Sequence, residues 1–167
     1  MGLESLIYEH ECLGIDGKPI IVYKIRTMIL NAHDLVDEVL EQGTDEYGKP
    51  IGDYRITRIG RALRRYWIDE IPQLYNLLKG DLKLVGIRAK SRKYWKKYPE
   101  DFMIESLKYK PGLIGVQYAF KGEGDFNTDV ENCWRYLREF RKKPLITDLK
   151  YFFRVWFNII FRGVRSS

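Results

Sequence analysis

One stretch, residues 63–88 (LRRYWIDEIPQLYNLLKGDLKLVGIR), constrains this chain more than any other. Arg64 and Arg65 precede an adjacent acidic pair, Asp69 and Glu70. Pro72 follows, and Ile71, Leu74, Tyr75 and Leu78 then recur at a spacing that puts them on one face of a short helix. Lys79 and Gly80 read as its C-terminus, a cation in the last turn and a glycine just beyond. A short apolar segment, Leu82 to Val85, leads on to Gly86 and Arg88. Asp69 stands where a helix N-cap would stand, and Pro72 is tolerated because it lies in the first turn. The plain reading is that Asp69 caps the helix and Glu70 complements its dipole. The chemical reading is a phosphate-handling site, because helix N-termini attract anions and here a carboxylate pair sits among arginines.

Composition narrows the choice. At 167 residues the chain is one domain, 1–167, large enough to bury a core. Shares of 45% hydrophobic and 31% charged residues are those of a globular protein. The 29 Lys+Arg exceed the 23 Asp+Glu, giving a net charge of +6, which favours phosphates, nucleic acid or an acidic membrane face as partners. Cys12 and Cys133 make no disulfide framework, so a reduced environment is the simplest expectation. No apolar run reaches the roughly 18 residues of a membrane-spanning helix, and MGLESLIYEHE has no signal-peptide core. There is no P-loop, no G-x-G-x-x-G, no G-x-S-x-G and no Cys/His cluster, and His33 reads as a helix-surface residue. Chemistry therefore falls to carboxylates, arginines and a hard metal.

In chain order, residues 6–13 and 19–25 read as two strands of a hairpin around a Gly14–Gly17 turn. Helical spacing runs over 28–42, up to Gly43, and a polar loop covers 43–54. Residues 56–67 read as a helix in which Arg55, Arg58, Arg61, Arg64 and Arg65 form an anion cradle or a plain surface face. In KSRKYWKKYPEDF, residues 90–102, cations interleave with Tyr94, Trp95 and Tyr98. That pattern fits nucleic acid, a lipid headgroup layer or a solvated amphipathic helix. Residues 110–115 turn into an apolar segment, 121–127 form a second Gly-rich loop, and 130–140 read as a helix. The last segment, 145–164, is apolar nearly all round, with Thr147 as its cap, Asp148 in its first turn and Gly163 at its end. Such a helix is buried in protein or faces lipid, where Lys150, Arg154 and Arg162 would snorkel. The expected fold class is α+β, mostly helical, with a small antiparallel β element near the N-terminus.

Five pieces taken together resemble the bacterial sugar transferase family, the monotopic phosphoglycosyl transferases. They are DGKPIIVYKIRTM (16–28), DYRITRIGRALRR (53–65), IDEIPQLYNLLKGDLKLVGIR (68–88), KPGLIG (110–115) and TDLKYFFRVWFNIIFRG (147–163). The resemblance spans about residues 6–165. It implies transfer of a sugar 1-phosphate from a nucleotide diphosphate sugar to a polyprenyl phosphate, with Mg²⁺ assisting, at the cytoplasmic face of the inner membrane. It implies Asp69 as the nucleophile that forms a phospho-sugar intermediate, Glu70 as a metal ligand and Arg88 as a phosphate-binding residue. Lys24, Arg26, Asp53 and Arg55 fall in family motifs and are expected to line the same pocket. The sequence also departs from the family pattern. Gly86-Ile87-Arg88-Ala89 stands for the usual G-P-R-P, keeping only the arginine. Tyr136 stands near a position that is commonly Asp, with Glu131 or Glu139 as substitutes. Family members carry a hydrophobic N-terminal segment before the first matched strand; only a handful of residues precede it here, so membrane attachment is expected to rest on 91–106 and the final helix. The alternative is a catalytically inactive relative acting as a peripheral membrane or partner-binding module. Nucleic-acid binding would account for the charge but not for the Asp-Glu pair, and no nucleic-acid partner is expected.

Overall fold

The computed structural model describes residues 6–44, 50–120 and 125–163. Parts of the two expected loops, 45–49 and 121–124, lie outside the described residues. The hairpin forms as expected: β1 (Ile7–Leu13) pairs antiparallel with β2 (Pro19–Ile25), from Ile7 opposite Ile25 to Leu13 opposite Pro19. The tight turn between them holds Asp16 at a left-handed φ of 57°.

The expected helix over 28–42 shrinks to α1 (Val36–Glu41). The backbone before it is used otherwise. Met28 bridges to Ile56, and the Ile29 amide donates to the Arg55 carbonyl at 3.0 Å. Residues 30–35, His33 among them, follow as turns. The next helix, α2 (Arg58–Arg65), is capped by Thr57, whose side chain accepts from the Gly60 amide at 2.9 Å. Gly60 is required there: a Cβ would stand 2.0 Å from the Thr27 carbonyl oxygen, so only glycine lets α2 lie on the chain leaving the hairpin.

Beyond α3 (Gln73–Lys79), a second two-stranded sheet appears that the sequence reading did not contain. β3 (Lys83–Gly86) runs parallel to β4 (Gly112–Gly115). Their crossing is so close that a Cβ on Gly112 would lie 2.1 Å from the Gly86 nitrogen. Between them come α4 (Arg92–Trp95) and α5 (Glu100–Ser106). The aromatic residues of 91–106 turn inward. Trp95 and Phe102 are buried, and Tyr98 stacks on Phe102 with centroids 5.6 Å apart. They join a core with Val116, Phe120, Leu137 and Tyr151, while Arg92, Lys93, Lys96 and Lys97 stay outside. The aromatic half of the expected membrane contact at 91–106 is thus spent on the core.

Two long helices close the fold. α6 (Phe126–Lys142) starts four residues earlier than the spacing predicts, because Asp125 caps it by accepting from the Thr128 amide at 3.0 Å. α7 (Pro144–Phe161) starts on Pro144, so Thr147 is not its cap but a buried residue of its second turn. Gly163, at a φ of +63°, lies just past its end, as expected. α7 is neither wholly core nor wholly exposed. Tyr151 and Val155 enter the core, and Asn158 donates to the Tyr118 and Ala119 carbonyls at 3.0 and 2.8 Å. The opposite face, with Leu145, Leu149, Phe153, Phe157 and Phe161, is exposed. No helix among the described residues is long and apolar enough to cross a membrane.

Candidate active site

The acidic pair does not cap α3. After α2 the chain passes through Trp67 in the left-handed region, at φ 57°. It then makes one 3-10 turn, Ile68–Glu70, before α3 begins at Gln73 with Pro72 as its cap residue. A bulky residue in that region costs on the order of 1–3 kcal/mol and persists only where its surroundings fix it. Trp67 packs edge-on against Tyr118 at 5.7 Å, and the kink sends Asp69 inward.

From there the helix is inverted. Its polar side chains Gln73 and Asn76 are buried alongside Asp69. Asn76 accepts from the Tyr23 amide at 3.1 Å and donates to the Ile21 carbonyl at 2.6 Å, which seats α3 on β2. Ile71, Leu74, Tyr75 and Leu78 do share a face, but it faces out: Leu78 is 87% exposed. Ordinary amphipathic helices do the reverse.

This arrangement brings four of the expected residues together. Arg88, just past β3, grips Glu70 with both arms, Nη1 to Oε2 at 2.7 Å and Nη2 to Oε1 at 2.5 Å. Lys24 on β2 has its Nζ 3.9 Å from Glu70 Oε1. Asp69, 6% exposed, has a buried Oδ1 with no hydrogen-bond partner. Burial first, then the charge of Glu70, raises the Asp69 carboxyl above its ordinary pKa; Lys24 and Arg64 act against that rise. Lys24 is lowered, mainly by burial and then by Arg88. Burial works against the charge on Arg88, but Glu70, Tyr118 and Asp69 together outweigh it and the guanidinium is held more firmly protonated.

Arg64, for which the sequence offers an anion cradle or a plain surface face, also belongs to this cluster. Its Nε donates to Thr27 Oγ1 at 2.9 Å, and its charge bears on both Asp69 and Asp53. The available signal was its place in the densest run of arginine, five residues before Asp69.

The other expected residues are elsewhere engaged. Asp53 and Arg55 are buried against each other, Nε to Oδ1 at 2.8 Å and Nη2 to Oδ2 at 2.7 Å, and Arg55 Nη1 donates to the Ala32 carbonyl at 3.1 Å. They brace the chain between α1 and α2 rather than line a shared pocket with Glu70. Arg26 lies over the Tyr8 ring at 5.5 Å. Tyr136 is buried on α6, and its hydroxyl donates to Asp148 Oδ1 at 2.7 Å. Lys83 Nζ joins both, at 2.8 Å from the Tyr136 oxygen and 2.8 Å from Asp148 Oδ2, which ties β3 to α6 and α7. Of the two acids expected as substitutes near Tyr136, Glu131 is exposed and Glu139 pairs with Lys150 at 2.7 Å.

Glu70 and Arg88 are the charged residues lining an apolar groove of about 410 Å³. Trp67, Ile71, Leu74, Tyr118, Trp156 and Ile159 also line it. Among the described residues no group of three His, Cys, Asp or Glu side chains is placed to hold a metal. Mg²⁺ does not need one, since it commonly binds through one or two carboxylates with phosphate oxygens and waters completing its shell. The unpartnered Asp69 oxygen beside Glu70 fits an ion shared with a phosphate ligand, not one caged by protein alone.

Against known proteins, the family described as bacterial sugar transferase matches residues 2–162. An undecaprenyl-phosphate galactose phosphotransferase of Salmonella typhimurium is 36% identical over 131 residues, 74% of this chain and 27% of that protein. A UDP-glucose:undecaprenyl-phosphate glucose-1-phosphate transferase of Escherichia coli is 32% identical over 92% of this chain and 30% of that protein. A UDP-N-acetylgalactosamine-undecaprenyl-phosphate N-acetylgalactosaminephosphotransferase of Aeromonas hydrophila is 28% identical over 77% of this chain. The chain thus spans about 30% or less of the length of the Salmonella and Escherichia relatives.

Proposed function

The chain belongs to the bacterial sugar transferase family, and from that premise we propose that it moves a sugar 1-phosphate from a UDP-sugar to undecaprenyl phosphate, with Asp69 as the covalent carrier. The observation that carries this reading is the Asp69 carboxylate itself. It is buried, its Oδ1 has no hydrogen-bond partner, and the charges of Lys24, Arg64 and Arg88 bear on it. Such a group costs stability, and perturbed carboxylates of this kind concentrate at reactive sites.

In the first step an Asp69 oxygen attacks the sugar-bearing phosphorus. The bond from that phosphorus to the bridging oxygen breaks, and UMP leaves with the electron pair. In the second, an oxygen of undecaprenyl phosphate attacks the same phosphorus and the Asp69 carboxylate departs, which restores the enzyme. Lys24, Arg64 and Arg88 offset the negative charge that would otherwise keep a carboxylate away from a diphosphate. Mg²⁺, held by Glu70 and Asp69 together with phosphate oxygens, would add further charge neutralisation.

The groove and the exposed helix faces support the lipid half of the reading. Apolar side chains that line a groove reaching the Arg88 guanidinium suit a phosphate with a long isoprenoid tail. The exposed apolar faces of α3 and α7, on a chain with net charge +6, suit peripheral attachment to an anionic cytoplasmic membrane face. The test is UMP release with UDP-galactose, UDP-glucose and UDP-N-acetylgalactosamine in turn, in vesicles containing undecaprenyl phosphate and Mg²⁺. Release by the parent and none by Asp69→Asn is expected. Vesicle binding without release from any donor would instead mark an inactive membrane-binding relative.

A further inference from the structure

The state of Glu70 bears on how a metal can enter. Both of its oxygens are taken by Arg88, at 2.7 and 2.5 Å, and Lys24 lies 3.9 Å away. Asp69 Oδ1 is the one buried carboxylate oxygen among the described residues with no partner. A free divalent ion would therefore have Asp69 alone to offer it a carboxylate not already held by a guanidinium. To gain Glu70 it would have to displace a two-point guanidinium contact, one of the stronger hydrogen-bonded pairs a protein makes.

Charge points the same way. Two carboxylates, Asp69 and Glu70, face three cations, Lys24, Arg64 and Arg88, so the site is cationic before anything binds. A bare divalent ion adds to that excess. A metal–diphosphate complex does not, because the diphosphate brings negative charge of its own. It also brings oxygens in the planar pairs that a guanidinium fork prefers, and can draw Arg88 off Glu70 while completing the metal's shell.

We propose that the Arg88–Glu70 pair is a latch that closes the metal position to the free ion, so that this site takes up a divalent cation only together with a diphosphate. The proposal rests on the transfer function argued above and specifies the form of its substrate as the metal complex of the nucleotide diphosphate sugar. It also assigns Glu70 two successive partners, Arg88 before the donor binds and the metal after.

The test uses Mn²⁺ as the probe, titrated into the protein without nucleotide and followed by its electron paramagnetic resonance signal. The parent should bind weakly. Arg88→Met and Arg88→Lys, which remove the two-point contact, should each tighten binding by about tenfold or more, and adding Glu70→Gln to Arg88→Met should cancel the gain. Variants that are folded by circular dichroism but bind Mn²⁺ no better than the parent overturn the latch. Should neither variant fold, the parent decides. Tight Mn²⁺ binding with no diphosphate present overturns the proposal. Weak Mn²⁺ binding together with tight binding of an exchange-inert cobalt(III)–UDP complex bears it out. Mass analysis after incubation with donor separates the two ideas: an Asp69 adduct with unchanged Mn²⁺ behaviour removes the latch alone, while a missing adduct removes the transfer reading.

Discussion

The Asp53–Arg55 and Glu70–Arg88 pairs are chemically alike, each a carboxylate held at two points by a guanidinium, Arg55 through Nε and Nη2 and Arg88 through Nη1 and Nη2. Their surroundings differ. Arg55 spends its remaining arm on the Ala32 carbonyl, and the pair sits two residues apart in one turn of chain. Arg88 reaches Glu70 across eighteen residues of sequence, in the lining of an open groove and next to an unsatisfied carboxylate. A pair whose valences are all met inside the fold holds the fold. A pair with an open side, among uncompensated charges, has partners still to meet.

That contrast can be broken by four measurements. Asp53→Ala leaves a buried guanidinium without its partner, and should lower unfolding stability by roughly 3–5 kcal/mol, read in urea, with transfer per folded molecule little changed. A large loss of transfer at full stability would move Asp53 into the site. Arg88→Met should do the opposite, costing transfer about 10²–10³-fold, as removal of an anion-stabilising donor does, with a smaller shift in the urea midpoint. Transfer that survives in Arg88→Met would make this pair structural as well.

The pH dependence separates the carboxylates further. Hydrogen bonds from Arg55 lower the Asp53 pKa, so its stabilising contribution is present above the ordinary carboxylate value and is lost as pH falls through the lowered one. Asp69 is raised by burial and by Glu70, so its folded form takes a proton more readily than the unfolded chain does. It therefore favours folding at low pH and opposes it as pH rises through the raised value. Removing that charge with Asp69→Asn should raise the melting temperature at neutral pH and flatten this part of its pH profile. In the parent, transfer should fall on acidification at a pH above the ordinary carboxylate value. The smallest effect concerns the outward face of α3. Leu78→Ser should change stability by no more than about 0.5 kcal/mol, yet weaken binding to anionic vesicles by roughly tenfold, the order expected for one leucine withdrawn from an apolar phase.

Much of this was legible in the sequence. β-branched alternation around a glycine turn marked the hairpin, and apolar spacing marked the shared face of Ile71, Leu74, Tyr75 and Leu78. Spacing fixes a face, however, and not its direction. α3 points that face outward because Asn76 is needed beneath β2, a long-range demand that periodicity does not carry. Asp69 and Glu70 could be picked out by adjacency, but their division of roles depends on Arg88 arriving from β3. Asp53 and Arg55 lie in as arginine-rich a string as Glu70 does, and only the fold shows that they satisfy each other. The short α1 and the parallel β3–β4 pair escaped for the same reason, since backbone pairing between distant segments leaves little trace in local pattern.

The most direct test is the intact mass of the Mg²⁺-loaded protein incubated with a UDP-sugar donor and no lipid acceptor. The account predicts a mass increase of one phospho-sugar, mapped to Asp69, absent from Asp69→Asn and discharged when undecaprenyl phosphate is added. A folded protein that releases UMP into lipid-linked product while never carrying that mass at Asp69 would contradict it.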